Sequence, residues 1–191
     1  LGIGHVTVYL CSEENLQKRG DAEVAALMSR IESTFSTHFL KSDGAPDWKV
    51  VLAGDLDLLP KSTSTILRET ARVTAAAPAT LTLAIGYGGR QEIMRAMRLL
   101  LLDRDREGAS LRGVADSLTM DDIADRLDTA GQPEPDLIIR TSGEQRLSNF
   151  LLWQSAYSEL YFCDAYWPAV REIDFLRALR SYAGRERRYG A

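Results

Sequence analysis

Charge-bearing and hydroxyl side chains crowd into one short stretch of this chain, Arg140-Thr141-Ser142-Gly143-Glu144-Gln145-Arg146-Leu147-Ser148. Arginine presents a planar, permanently charged fork that matches phosphate and carboxylate oxygens two at a time. Serine hydroxyls add neutral donors, and a helix beginning just beyond would add its own positive end. A second stretch, Gly86-Tyr87-Gly88-Gly89-Arg90, combines glycines, whose backbone amides approach an anion closely, with a further arginine. A third, Ser12-Glu13-Glu14-Asn15, offers hydroxyl, carboxylate and amide groups. Each turn read alone is equally a cap or an exposed salt bridge, worth at most ~1 kcal/mol. Three of them on one sheet edge point to an anion site the size of a diphosphate. Other chemistries are poorly served. His5 and His38 are the only histidines and Cys11 and Cys163 the only cysteines, which excludes a histidine-rich zinc site and a cysteine cage.

The elements that must hold these turns alternate. Residues 5–11 (HVTVYLC), 49–54 (KVVLAG), 81–87 (LTLAIGY), 136–140 (DLIIR) and 159–162 (ELYF) read as strands. Residues 21–39 carry Val24, Leu27, Met28, Ile31, Phe35 and Phe39 on one helical face. Further helices are expected over 61–77, with Ile66, Leu67, Ala71 and Val73 inward, and over 90–102, 121–128 and 173–182. The run DRDREG at 103–108 reads as a solvated helix end or turn, and GQPEP at 131–135 as a stiff turn. Strands separated by helices imply an α/β fold in one domain, with a mostly parallel central sheet and helices on both faces. Ligands of such sheets gather beyond the carboxyl ends of the strands, where the three turns fall.

Composition agrees with a packed, soluble globular domain. The chain has 191 residues, 45% of them hydrophobic, and a formal charge of −4 from 23 basic and 27 acidic residues. That balance argues against nucleic acid as a partner. The longest apolar runs, such as Leu99 to Leu102, are too short to span a membrane. With no secretory leader read at its start and only two thiols, the chain is expected to be cytoplasmic.

The stretch RTSGEQRLSNFLLWQSAYSELYF from Arg140 to Phe162, with Trp167-Pro168 after it, resembles the signature of the cis-prenyltransferases, the undecaprenyl diphosphate synthase family. Tyr87-Gly88-Gly89-Arg90, Ser12-Glu13-Glu14-Asn15 and the closing Arg187-Arg188-Tyr189-Gly190 agree with it, so the likeness runs through the whole chain. The resemblance implies an enzyme that joins an allylic diphosphate to isopentenyl diphosphate, makes a Z double bond and releases pyrophosphate. It assigns Arg140, Arg146 and Ser148 to the diphosphate of isopentenyl diphosphate. Glu159 resembles the family's Mg²⁺ carboxylate, the alternative being a strand-end salt bridge. Asn15 and Ser12 match positions near the reacting carbons and the pyrophosphate, and Asn15 also suits a helix N-cap. Arg188 and Gly190 resemble a tail motif that reaches the partner's site, which implies a homodimer. Peripheral association with a membrane is a further expectation.

The sequence also departs from the family. No Asp-Gly-Asn-Gly-Arg-type loop, the family's other Mg²⁺ and allylic diphosphate site, occurs in residues 1–191. The segment is therefore expected to be a cis-prenyltransferase domain lacking its first strand and that loop, and inactive by itself; a non-catalytic partner subunit is the alternative. Cys11 and Leu16 stand where long-chain members carry Phe and Trp, and Asn15-Leu16-Gln17 resembles short-product actinobacterial types. Leu10 replaces a small residue and Trp48 is bulkier than the usual occupant. With Val24, Leu27, Met28 and Ile31 they are expected to wall the tunnel for the growing tail, unless Leu10 and Trp48 are plain core. A product of about farnesyl length follows, with an undecaprenyl- or decaprenyl-type product as the alternative.

Overall fold

A computed structural model describes residues 2–40 and 45–185, which fall into two compact units divided after Gln132. In the first unit, strand β1 (His5–Ser12) leads into a short helix α1 (Glu13–Lys18), then α2 (Asp21–Phe35) and a π-helical turn, Ser36–Leu40. Strand β2 (Trp48–Ala53), α3 (Lys61–Val73), β3 (Ala79–Tyr87), α4 (Gly89–Arg106), α5 (Leu111–Ser117) and α6 (Met120–Ala124) follow. The three strands form one parallel sheet in the order β1-β3-β2. Central β3 is buried on both faces, since Thr82 and Ala84 are as inaccessible as Leu83 and Ile85. In the second unit β4 (Leu137–Arg140) and β5 (Glu159–Phe162) pair in parallel and α7 (Glu172–Ala183) follows. Among the described residues every strand pairing is thus parallel, as the alternating pattern predicts.

The first unit's core lies between the sheet and α2 with α3. Met28, Ile31 and Phe35 of α2 and Leu67 of α3 pack with Cys11, Val50, Leu83 and Ile85. On α3 the sequence reading is partly corrected. Leu67 is inward, but Val73 is 40% exposed and the buried face is completed by Thr63, Thr70 and Thr74. Their burial is tolerated because the hydroxyls are satisfied. Thr70 Oγ1 donates to the Ile66 carbonyl at 2.8 Å, and Thr74 Oγ1 donates to the Thr70 carbonyl at 2.8 Å while accepting from the Val50 amide at 2.9 Å. The last bond also occupies an outward amide of edge strand β2.

β1 carries an irregularity that alternation cannot reveal. Tyr9 pairs with Ala84 but Cys11 pairs with Ile85, so Leu10 is an extra residue on β1. One step later Ser12 pairs with Tyr87, which leaves Gly86 extra on β3 and restores the register. The bulge turns Cys11 onto the same core side as Leu10. Cys11 packs in the buried cluster, and burial pushes its thiol above its ordinary pKa, with Arg19 opposing and Glu23 adding more weakly.

Other expectations need correction. α3 stops at Val73, not Ala77, α6 is shorter than the 121–128 expected, and α5 was not foreseen. A capping box between Thr119 and Asp122 starts α6 one residue early. No helix directly follows the Arg140–Ser148 stretch: residues 149–157 are successive turns and bends. Ser148, Asn149 and Leu151 have φ of 51°, 65° and 43°, and left-handed backbone at these positions cannot continue a right-handed helix. The phosphate-attracting helix end expected there is absent.

Candidate active site

Each unit presents chemistry at strand ends. In the first, Ser12 ends β1 and caps α1, its Oγ accepting the Asn15 amide at 3.0 Å. The cap is therefore Ser12 and not Asn15, which lies within α1; the extra residue in β1 and the helix directly after it place Ser12 first. Its hydroxyl hydrogen remains available to a ligand. Gly54 and Gly86 are required at this edge by backbone geometry. Their φ values are +115° and +57°, and a Cβ would lie 2.1 Å from the Ile85 carbonyl oxygen at Gly54 and 2.6 Å from that of Asp55 at Gly86. The Asp55 amide donates to the Gly86 carbonyl at 3.0 Å. These glycines let the ends of β2 and β3 close on each other.

Behind this edge lies a buried polar network. Glu92, 1% exposed, accepts from the Tyr87 hydroxyl at 2.5 Å and from the Asp128 amide at 3.0 Å. The Asp128 carboxylate accepts from the Gly54 amide and from Arg95, each at 2.8 Å. Tyr9 donates its hydroxyl to the Tyr87 carbonyl at 3.1 Å, and the two rings meet edge to face. All three strand ends are tied into it, which holds Ser12 and the start of α4 in register. Sequence reasoning missed the network, although a signal existed. Glu92, Ala96 and Leu100 recur every fourth residue on the buried stripe of α4, an acid where an apolar side chain is expected.

In the second unit Arg140 ends β4. Its Nε is buried and, among the described residues, has no hydrogen-bond partner, and its Nη2 lies 3.5 Å from Ser148 Oγ, at the limit for a bond. Ser148 is brought round by its left-handed backbone. Around them, the Ser142 amide donates to the Ala165 carbonyl at 2.9 Å and the Gly143 amide to that of Cys163 at 3.0 Å, which fastens the loop to the chain after β5. Arg146 is exposed and paired with Glu144. Glu159 is paired with Arg185, whose other nitrogen donates to the Leu160 carbonyl at 3.1 Å. The register sets Glu159 beside Leu137 and Phe162 beside Arg140. Glu159 and Arg140 therefore stand at opposite ends of the ladder, roughly 10 Å apart along the strands. The structure brings Arg140 and Ser148 together and holds Arg146 and Glu159 in separate ion pairs. Arg188 and Gly190 lie outside the described residues.

The expected tunnel residues divide likewise. Leu10, Val24, Leu27, Met28 and Ile31 share the apolar cluster of the first unit. Trp48, half-buried at the start of β2, pairs with Ala79, whereas Leu10 sits beside Ala84 and Ile85. The two bulky residues are thus separated by most of the sheet's length, roughly 17–20 Å. Among the described residues no three His, Cys, Asp or Glu side chains form a metal-binding group, and no helix is long and apolar enough to cross a membrane.

Comparison with known proteins gives this arrangement a context. The chain is 60% identical over 193 residues to an isoprenyl transferase of Streptomyces fradiae, covering all of this chain and 74% of that protein. It is 49% identical to a (2Z,6E)-farnesyl diphosphate synthase of Mycolicibacterium smegmatis, over 99% of this chain and 71% of the relative. Among solved structures, lavandulyl diphosphate synthase from Lavandula x intermedia, in complex with dimethylallyl diphosphate, superposes with a TM-score of 0.89 at 32% identity, covering all of this chain and 80% of that one. Residues 1–190 match the prenyltransferase family described as "Putative undecaprenyl diphosphate synthase", and the chain belongs to that family of cis-prenyl-transferring enzymes.

Proposed function

We propose that this protein condenses an allylic diphosphate with isopentenyl diphosphate to give a Z-prenyl diphosphate of about farnesyl length and pyrophosphate. The observation that carries the reading is Arg140, a strand-end arginine with a buried, partnerless Nε beside Ser148. A buried donor without a partner is costly, and a diphosphate oxygen would satisfy it. In this reading Arg140, Arg146 and Ser148 bind the diphosphate of isopentenyl diphosphate, Arg146 exchanging Glu144 for phosphate oxygens. Ser12 donates its hydroxyl to the departing pyrophosphate while its oxygen keeps α1 capped, and Asn15 orients the reacting carbons. The electron pair of the terminal double bond of isopentenyl diphosphate forms the new bond to the allylic C1, the C1–oxygen pair leaves with pyrophosphate, and a proton passes from the adjacent isopentenyl carbon to a pyrophosphate oxygen, which leaves the new Z double bond. Burial of the tail among apolar side chains keeps water from the allylic centre.

Glu159 suits Mg²⁺, an ion held by one or two carboxylates together with substrate phosphates, so a single acid is enough. The bound ion would supply counter-charge to the pyrophosphate. A homodimer in the cytoplasm, loosely associated with membrane, completes the proposal. Met94, Leu99 and Leu102, all exposed along α4, support self-association.

The direct test is incubation of the full-length protein with isopentenyl diphosphate, an allylic diphosphate and Mg²⁺, followed by mass analysis of the dephosphorylated products. A Z-configured farnesyl-length product is expected, and long polyprenyl chains would replace this reading with the long-chain alternative. Product length is expected to depend on Leu10. It stands at the bulge, near the carboxyl edge of the sheet, where it would meet the tail early. Overfilling a packed space costs ~1–3 kcal/mol, enough to refuse one more five-carbon unit. Leu10→Ala is expected to lengthen the principal product by at least one such unit; an unchanged product would remove Leu10 from the tunnel.

A further inference from the structure

Glu32 lies on α2 next to the buried Ile31, and its carboxylate reaches the first turn of α3. Thr63 Oγ1 donates to Glu32 Oε1 at 2.5 Å, and Ser62 Oγ donates to the same oxygen at 2.8 Å. Thr63 is fully buried and Ser62 is exposed, so the tie runs from the core boundary to the surface. Among the described residues these are the only side-chain hydrogen bonds between α2 and α3. The bond from Thr63, and then that from Ser62, hold the Glu32 carboxyl below its ordinary pKa. Pro60 precedes α3 without a side-chain cap, and Glu32 places negative charge at that helix's positive end.

Beneath the tie, Met28 and Ile31 of α2 and Leu67 of α3 pack in one cluster with Leu10. Protein interiors are close-packed, so a longer tail among these side chains must spread α2 away from α3 or from the sheet. We propose that Glu32 is a product-length determinant, its bonds to Thr63 and Ser62 resisting the helix separation that a longer isoprenoid tail requires. The inference rests on the condensing activity proposed above, and it concerns a residue that touches neither diphosphate nor reacting carbon. Glu32 is a positioning residue, acting through the spacing of two helices.

The test reads chain-length distribution and total isopentenyl incorporation separately, in the full-length protein at one fixed substrate ratio. Glu32→Ala and Thr63→Val are each expected to raise the ratio of longer products to the wild-type product about tenfold, equivalent to ~1.4 kcal/mol. Total incorporation stays within about threefold, well under that step. The double variant is expected to shift no further than Glu32→Ala alone, because that single change already removes both bonds of the tie. Glu32→Gln, which keeps an acceptor oxygen, restores most of the wild-type distribution. Ser62→Ala, at an exposed position, gives a smaller shift in the same direction and serves if Thr63→Val fails to fold. An unchanged or shorter distribution in Glu32→Ala and Ser62→Ala, with turnover retained, overturns the inference and leaves the condensing activity standing. A wild-type protein that forms no prenyl product overturns both.

Discussion

Replacing Arg140 by alanine is expected to raise KM for isopentenyl diphosphate at least tenfold without unfolding the protein. A charge-assisted hydrogen bond to phosphate contributes ~1.5–3 kcal/mol, so the loss spans about one to two orders of magnitude. Arg146→Ala is expected to act in the same direction but less strongly. Arg146 already has a partner in Glu144, which binding must displace, whereas the Arg140 Nε has none to give up. Arg140→Lys is expected to recover little, because an ammonium group cannot reproduce the planar fork. Steady-state kinetics with the isopentenyl substrate varied, alongside a thermal melt, checks all three. Near-wild-type KM in both alanine variants would remove the pair from the substrate site.

Chelation of Mg²⁺ is expected to abolish turnover, and Glu159→Gln to raise the Mg²⁺ concentration needed for half-maximal rate at least tenfold. The amide keeps the shape of the side chain but removes the charge that a hard cation requires. The ion pair with Arg185 adds a second arm to the experiment. Arg185 competes with a cation for the Glu159 carboxylate, so Arg185→Gln is expected to lower the half-maximal Mg²⁺ concentration, the opposite sign from Glu159→Gln. A merely structural salt bridge would give both variants the same destabilisation and leave the Mg²⁺ titration unmoved. Rate against Mg²⁺ concentration for the three proteins separates these outcomes.

Much of the fold is legible in the sequence. The five strands are short β-branched or apolar runs bounded by turn residues, and each lies within two residues of its expected limits. α2 was marked by Val24, Leu27, Met28, Ile31 and Phe35 because one face of a long helix repeats every three or four residues. α3 is less legible, since threonine counts as polar in a helical pattern. Burial of Thr63, Thr70 and Thr74 depends on hydroxyls returning to their own helix and to β2. The chain beyond Arg140 misled for a related reason. Its run of large apolar residues suits a helix, yet the left-handed residues Ser148, Asn149 and Leu151 bend it into turns.

The types and local spacing of the candidate site residues were likewise set by the sequence alone: Arg140, Arg146 and Ser148 share one loop, and Ser12 and Asn15 one turn. Which of these side chains meet was decided only by tertiary structure. Strand register puts Glu159 at the other end of the ladder from Arg140, and a one-residue bulge turns Cys11 inward beside Leu10. Glu32 and Thr63, 31 positions apart, meet because α2 and α3 pack together. Propensity and periodicity act over a few residues, within one element. Register, bulges and bonds between helices follow from how distant elements pack, where moving a strand by one residue exchanges its two faces.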